Sequence, residues 1–319
     1  MRFAIHPSTV KRALSGHAAI GLLGGALLYL VCFTGTVLVL YEELQRLEQP
    51  AAPEMSSIAP AAVQRGLEAV LANEAADKPA THVYIHLPVK ELPRATITTD
   101  TQAVHLDADG SIAMPEENGW SEFLYALHYK LNMPSIIGIT IVGILGVMIV
   151  ALSISGVIAH PKIFRDAFRL RARRTGGVAL ADWHNRLSVW TLPFSLAIAL
   201  TGAILGLSTL TAYGIATASY DGNIEAVYAP LFGEEAQADK AAGPMPNVVA
   251  ALEYMAKHYP DITLSYVILH DPQTVGQHIQ IIGAPARRLI FGEYYDFSAT
   301  GAFQGTAGLA DGALGQQAA

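Results

Sequence analysis

A single cysteine, Cys32, stands in this sequence, so no intrachain disulfide can form and each folded part must hold together by burial and backbone pairing. With one cysteine there is also no Cys-x-x-Cys-His, which excludes covalent attachment of a haem. Charge is scarce: Asp, Glu, Lys and Arg make up 15% of the 319 residues, against 52% hydrophobic ones. The scarcity is uneven. None of the four charged types occurs from Gly16 to Tyr41, from Leu131 to Pro161, or from Leu187 to Tyr220. Each gap exceeds the roughly 20 apolar residues that cross a bilayer core. Three transmembrane helices are predicted, not a core folded in water. The first resembles a signal peptide in following Lys11 and Arg12, but Tyr41-Glu42-Glu43 offers no small-residue cleavage site, so it is expected to remain as an anchor.

What charge there is falls in blocks. Arg2, Lys11 and Arg12 precede the first span. Lys162, Arg165, Arg169, Arg171, Arg173, Arg174 and Arg186 lie between the second and third spans or just inside the third. These ten of the 20 basic residues share their segments with only Asp166 and Asp182 of the 27 acids. Basic loops stay on the cytoplasmic side. The expected layout is a cytoplasmic arm over residues 1–17, spans over 18–41, 128–160 and 184–212, a basic cytoplasmic loop over 161–183, and outer modules over 42–127 and 213–319. A nucleic-acid surface is not expected, because the basic cluster is flanked by spans.

The chain repeats itself. His17 is followed 17 residues later by Thr34-Gly35, and His184 is followed at the same spacing by Thr201-Gly202. Each span then leads into a helix-like stretch (Pro60–Val70, Pro246–Met255) and strand-like runs. Those runs cover Thr81–Leu87, Arg94–Thr99 and Ala103–Leu106 in one copy, and Leu264–Leu269, Gln277–Ile282 and Arg288–Phe297 in the other. A helix followed by a small antiparallel sheet is the expected form of each module, with a turn at Asp107-Ala-Asp-Gly110. Copy one returns through span two, whereas copy two reaches Ala319 without a return helix, so a further span is expected to be missing. The fold class is therefore a membrane helical bundle carrying two outer α+β modules.

Four of the 11 histidines sit at span ends: His17, His128, His160 and His184. Singly, each reads as an interfacial residue. The repeat, however, puts His17 and His184 at one depth, a geometry able to clamp a metal-bearing ring from both faces, and imidazole is a common axial ligand of haem. Glycines along the spans (Gly21, Gly24, Gly25, Gly138, Gly143, Gly146, Gly202, Gly206) fit close helix packing and equally leave room for a flat macrocycle. Arg12, Arg171 and Arg186 could pair with propionates or serve topology and anionic lipid. The outer histidines His82, His86, His105, His270 and His278 read as surface or packing residues. No charged residue lies near the middle of a span, which disfavours a transporter with a midplane site.

Several blocks are familiar: Gly16-His17-x-x-x-Gly21, Phe33-Thr-Gly35, Leu127-His128, Ser155-Gly-Val-Ile-Ala-His160-Pro-Lys-Ile-Phe-Arg165-Asp166, Asp182-Trp-His184-Asn-Arg186-Leu-Ser-Val-Trp190-Thr-Leu-Pro193-Phe194 and Leu200-Thr-Gly202. Together they resemble the PepSY-associated transmembrane family, which includes bacterial inner-membrane reductases of iron uptake that bind b-type haem. The resemblance implies PepSY-like periplasmic modules and one or two haem b groups, with His17, His128, His160 and His184 as axial ligands and Arg12 and Arg186 beside them. It also implies an oxidoreductase passing electrons from a quinol or cytoplasmic reductase to a ferric siderophore or other iron chelate. Members usually carry a fourth span opening with Leu-His, absent here, and many have histidine where this chain has Ser195. Fe(II) is held more weakly than Fe(III) by hard oxygen donors, so reduction favours release. The rival expectation, from another class, is a membrane-anchored PepSY module that binds and restrains a periplasmic peptidase or other partner.

Overall fold

The computed structural model describes residues 5–75, 77–168, 177–232, 239–285 and 292–307. Arg169, Arg171, Arg173 and Arg174 of the basic loop, and the Arg288 start of one strand-like run, lie outside them. In chain order the elements are α1 (Pro7–Val37), a tight turn over Leu38–Leu40, α2 (Tyr41–Glu48), α3 (Pro60–Ala72), β1 (His82–His86), β2 (Thr96–Thr98), β3 (Ala103–Leu106) and β4 (Ile112–Pro115). There follow α4 (Gly119–Lys130), α5 (Ser135–Ala159), α6 (Ile163–Asp166), α7 (Gly177–Ser219), α8 (Glu225–Phe232), α9 (Val248–His258), β5 (Ile262–His270), β6 (His278–Pro285), β7 (Glu293–Ser298) and β8 (Phe303–Ala307). Three helical stretches, Pro7–Glu48, Ser135–Ala159 and Ala179–Ser219, are long and apolar enough to cross a membrane. The chain divides into a helical unit (residues 1–39 and 121–214) and a sheet unit (residues 40–120 and 215–319).

In the helical unit, α1 starts where Pro7, which needs no amide donor, follows His6, whose ring accepts from the Ser8 N–H. It packs along α5. α5 in turn meets α7 at backbone distance: a Cβ on Gly206 would stand 2.6 Å from the Cα of Gly143, and one on Gly146 would stand 2.9 Å from the Ala199 carbonyl oxygen. Small residues allow this approach, which in a membrane gains dispersion and not hydrophobic energy. At these glycines the packing interpretation holds. A corner at Leu131 and Asn132, both at φ 53°, separates α4 from α5, so His128 stands on a short helix of its own.

In the sheet unit, the expected helix of each copy is present, and so are the expected strands. β4 and β8, short and without strong alternation, escape the sequence reading. The two copies do not make two sheets. β1 pairs antiparallel with β5, giving one eight-stranded sheet in the order β4-β3-β2-β1-β5-β6-β7-β8. Rows of apolar residues cross the seam: Ile97, Ile85, Val267, Ile281 and Tyr295 form one, and Val83, Leu269, Ile279 and Phe297 another. Over this face lie the apolar stripes of α3 (Val63, Leu67, Val70, Leu71) and α9 (Val248, Ala251, Leu252, Met255), and all join one core. Gln64 of α3 ties the helices together, donating to the Pro246 carbonyl and accepting from the Val248 N–H.

The opposite face carries the alternate residues, including His105, Thr96, His86 and Tyr266 in one row and His82, His270 and His278 in another. All five histidines expected to be surface or packing residues therefore share it. Arg94, with 2% of its side chain exposed, donates to the Gln45 carbonyl at 3.2 Å and to the Gln49 carbonyl at 2.9 Å, and stands 3.4 Å from a Glu54 carboxylate oxygen. It thus adds a second donor to carbonyls at and beyond the end of α2 that already accept from the Gln49 and Ala52 N–H groups. Gln49 accepts from the His105 ring and from the Glu117 N–H. Replacing Arg94 with Met should therefore lower the unfolding free energy of the sheet unit by about 2–4 kcal/mol, measured by denaturant titration of the full-length protein. Replacing the exposed Arg46 should leave it near wild type.

Candidate functional site in the helical unit

Two of the four span-end histidines are held in the same way. His17, on α1, reaches α5, where its Nδ1 lies 3.0 Å from the Leu152 carbonyl oxygen and 3.2 Å from Ser155 Oγ. His128, on α4, reaches α1, where its Nδ1 lies 2.9 Å from the Val31 carbonyl oxygen and 3.5 Å from Thr34 Oγ1. In each case the hydroxyl three residues after the accepting carbonyl donates to that same carbonyl, Ser155 to Leu152 and Thr34 to Val31. One residue further on is a glycine. A Cβ on Gly156 would stand 3.2 Å from His17 Cε1, and one on Gly35 would stand 2.6 Å from His128 Cε1. Carbonyl, hydroxyl and glycine thus form a dock for a flat ring against a helix.

The dock dictates the tautomer. A carbonyl oxygen can only accept, so Nδ1 carries the proton in both rings and Nε2 keeps its lone pair. Fixing a histidine through one nitrogen so that the other can ligate is how metal-bound imidazoles are ordinarily oriented.

His184, on α7, stands against His17, with ring centres 6.0 Å apart and planes at 71°. Two imidazoles bound to one metal from opposite sides, each through a bond of about 2 Å, have ring centres on the order of 6 Å apart. The His17–His184 spacing matches that distance, and the two histidines that the repeat set at equivalent positions stand side by side. His160 caps the end of α5 and faces Asp166, with Nε2 4.0 Å from the carboxylate. Arg186 is buried at 6% exposure, two residues after His184, whereas Arg12 is exposed. One carboxylate oxygen of Asp182 is buried with no hydrogen-bond partner among the described residues. The structure therefore joins His17 to His184, sets His128 in a dock of its own, and leaves His160 with Asp166.

The same carbonyl-hydroxyl-glycine pattern occurs a third time, on α7. Thr201 donates to the Ile198 carbonyl, and nothing lies within 4 Å of a Cβ on Gly202. Neither Ser155 nor Thr34 stands out as a site residue from sequence. The available signal was the recurrence of a hydroxyl residue before glycine within three spans.

The family model described as the PepSY-associated TM region matches residues 14–308. The chain belongs to the PepSY-associated transmembrane family. A relative within reach of this PepSY-associated chain is an uncharacterized protein of Pseudomonas aeruginosa, 33% identical over 96 residues. That alignment covers 30% of this chain and 24% of the relative, so the chain spans about a quarter of the length of the curated relative it matches.

A double-mutant cycle tests the dock. Gly35→Val should destabilise the helical unit by about 1–3 kcal/mol through the clash with the His128 ring. In a His128→Ala background most of that cost should vanish, as thermal unfolding of the detergent-solubilised protein would record.

Proposed function

We propose that this protein is a haem-containing reductase of the bacterial inner membrane that passes electrons across the bilayer to a ferric chelate, a siderophore complex in iron uptake. The observation that carries the reading is the His17–His184 pair, 6.0 Å between ring centres, with the His17 Nδ1 proton committed to the Leu152 carbonyl. These two histidines would hold one haem b through Nε2. His128, with the same commitment to Val31, would ligate a second haem, and His160 is the alternative ligand near the first. Bound haem supplies reversible one-electron transfer.

The chain's own part is to fix ligand orientation and to keep the site within apolar helices. Buried Arg186 is suited to a propionate, since guanidinium binds carboxylates through two parallel hydrogen bonds, and exposed Arg12 to a propionate or an anionic lipid headgroup. Charge placement supports a cytoplasmic N-terminus and periplasmic PepSY-like modules, where the ferric chelate would be reduced. The electron donor would be a quinol or a cytoplasmic reductase. No protein acid or base is needed for the transfer.

The test is optical. The full-length protein, expressed with ample haem supply and purified, should show a Soret band that sharpens on dithionite reduction. His184→Ala should lose one haem per chain by pyridine haemochromogen assay, and chelate reduction in proteoliposomes should fall at least tenfold. A protein without pigment would remove the redox reading and leave that of a PepSY module acting on a periplasmic partner.

A further inference from the structure

The face of the sheet opposite α3 and α9 carries a second histidine cluster, independent of the span-end set. His82 of β1, His270 of β5 and His278 of β6 are direct cross-strand partners. The His82 and His270 ring centres are 5.0 Å apart and edge-on, and the His270 and His278 rings stack at 4.3 Å with planes 4° apart. Both ring nitrogens of His270, and Nδ1 of His278, are buried without a hydrogen-bond partner among the described residues. A neutral imidazole has one donor and one acceptor, so His270 leaves both unsatisfied, which costs on the scale of unmade hydrogen bonds. Among the described residues no group of three ligating side chains is gathered to hold a metal ion. The ligand these rings can take up without rearranging is a proton.

The position of the row gives that proton a consequence. β1–β5 is the one strand pair joining the two halves of the sheet among the described residues, and His82↔His270 is the last pair of that seam. Beyond it the Asp271 N–H donates to the Thr81 carbonyl at 2.8 Å, while at the far end the Leu87 N–H donates to the Ser265 carbonyl at 2.9 Å. We propose that His82, His270 and His278 form an acid-sensitive latch, whose protonation unzips the β1–β5 seam from the Asp271 end.

The facing imidazoles favour opening, and the acids around the row oppose it. A proton on His270 would face His278 and His82 at stacking and edge distance. On the His82 side, Asp100 accepts from the N–H and hydroxyl of Thr81, and that hydroxyl lies 3.0 Å from His82 Nδ1. On β5 the nearest carboxylate is that of Asp271, which favours the protonated form. Tyr84 stacks on His82 at 6.1 Å, Ser298 of β7 pairs with His278, and Asp296 in the next row is bonded to Gln280. Asp239, whose carbonyl accepts from the Gly276 N–H, is a further acid near the β5–β6 turn.

Burial, with His278 and His82 adding to it, lowers the His270 pKa to about 4. In an opened seam the ring returns to about 6.5. The folded-state value is the lower one, so the closed seam is fully stable above pH 6.5 and loses stability as pH falls towards 4. Between pH 7.5 and pH 5 the linkage amounts to a roughly 30-fold rise in the opening equilibrium.

Hydrogen exchange of the full-length protein in detergent, with rates corrected for intrinsic pH dependence, tests this. At pH 5, peptides covering residues 81–85 and 267–271 should lose protection roughly 30-fold relative to pH 7.5, while those of β6–β7 change little. His270→Phe should abolish the local loss. His278→Phe, a second variant in case the first fails to fold, should reduce it. His86, whose pKa is also lowered by burial, lies at the Leu87 end, so opening that starts there would overturn the latch. So would equal loss across all strands, unchanged behaviour in both variants, or a response governed by EDTA and not by pH.

Discussion

An imidazole N–H placed among apolar helices must find an acceptor, and a helix has already engaged its own carbonyls. The helical unit meets this constraint twice by the same means. A hydroxyl one turn along shares the carbonyl, and a glycine beside it lets the ring lie flat enough to reach the oxygen. His17 on Leu152 and His128 on Val31 are both held so. Because the acceptor cannot donate, the geometry settles the tautomer, and the free Nε2 of each ring follows from it. The glycines at the α5–α7 contact answer another need: Gly143 and Gly206 let two backbones touch.

The sheet unit depends on a seam. Each copy of the internal repeat sets one core helix, α3 or α9, over four strands. Pairing β1 with β5 continues the apolar rows from one copy into the other, so that α3 and α9 share one core. The same register sets the alternate residues in rows on the opposite face. There Arg94, Gln49 and His105 are joined by hydrogen bonds, with only Arg94 Nε and His105 Nδ1 unpaired, while among the described residues His270 has neither ring nitrogen paired and His278 lacks a partner at Nδ1. One face binds the copies together by burial; the other holds a group of bases with unmet hydrogen bonds at the end of the same seam.

Much of this was legible beforehand. The absence of charge located the spans, because no ionisable side chain is cheap in hydrocarbon. The helix stripes of α3 and α9 follow the 3.6-residue period, and most strands follow alternation. β4 and β8 are short and mixed, so nothing local marked them. The common depth of His17 and His184 followed from equal spacing to Thr34-Gly35 and Thr201-Gly202. The docks did not follow, because a carbonyl acceptor leaves no trace in residue identity. His160 looked equivalent to its neighbours by position, yet the chain turns after α5 and brings Asp166 beside it.

Composition and spacing alone determined that the chain is a membrane protein with three stretches apolar enough to span, repeated α+β segments and histidines at equivalent positions, since these rest on hydropathy and period, which are local properties. Only the tertiary structure decided which atoms those histidines offer and that the repeats share a sheet. Both depend on backbone groups, identical in every residue, being brought together from distant parts of the chain.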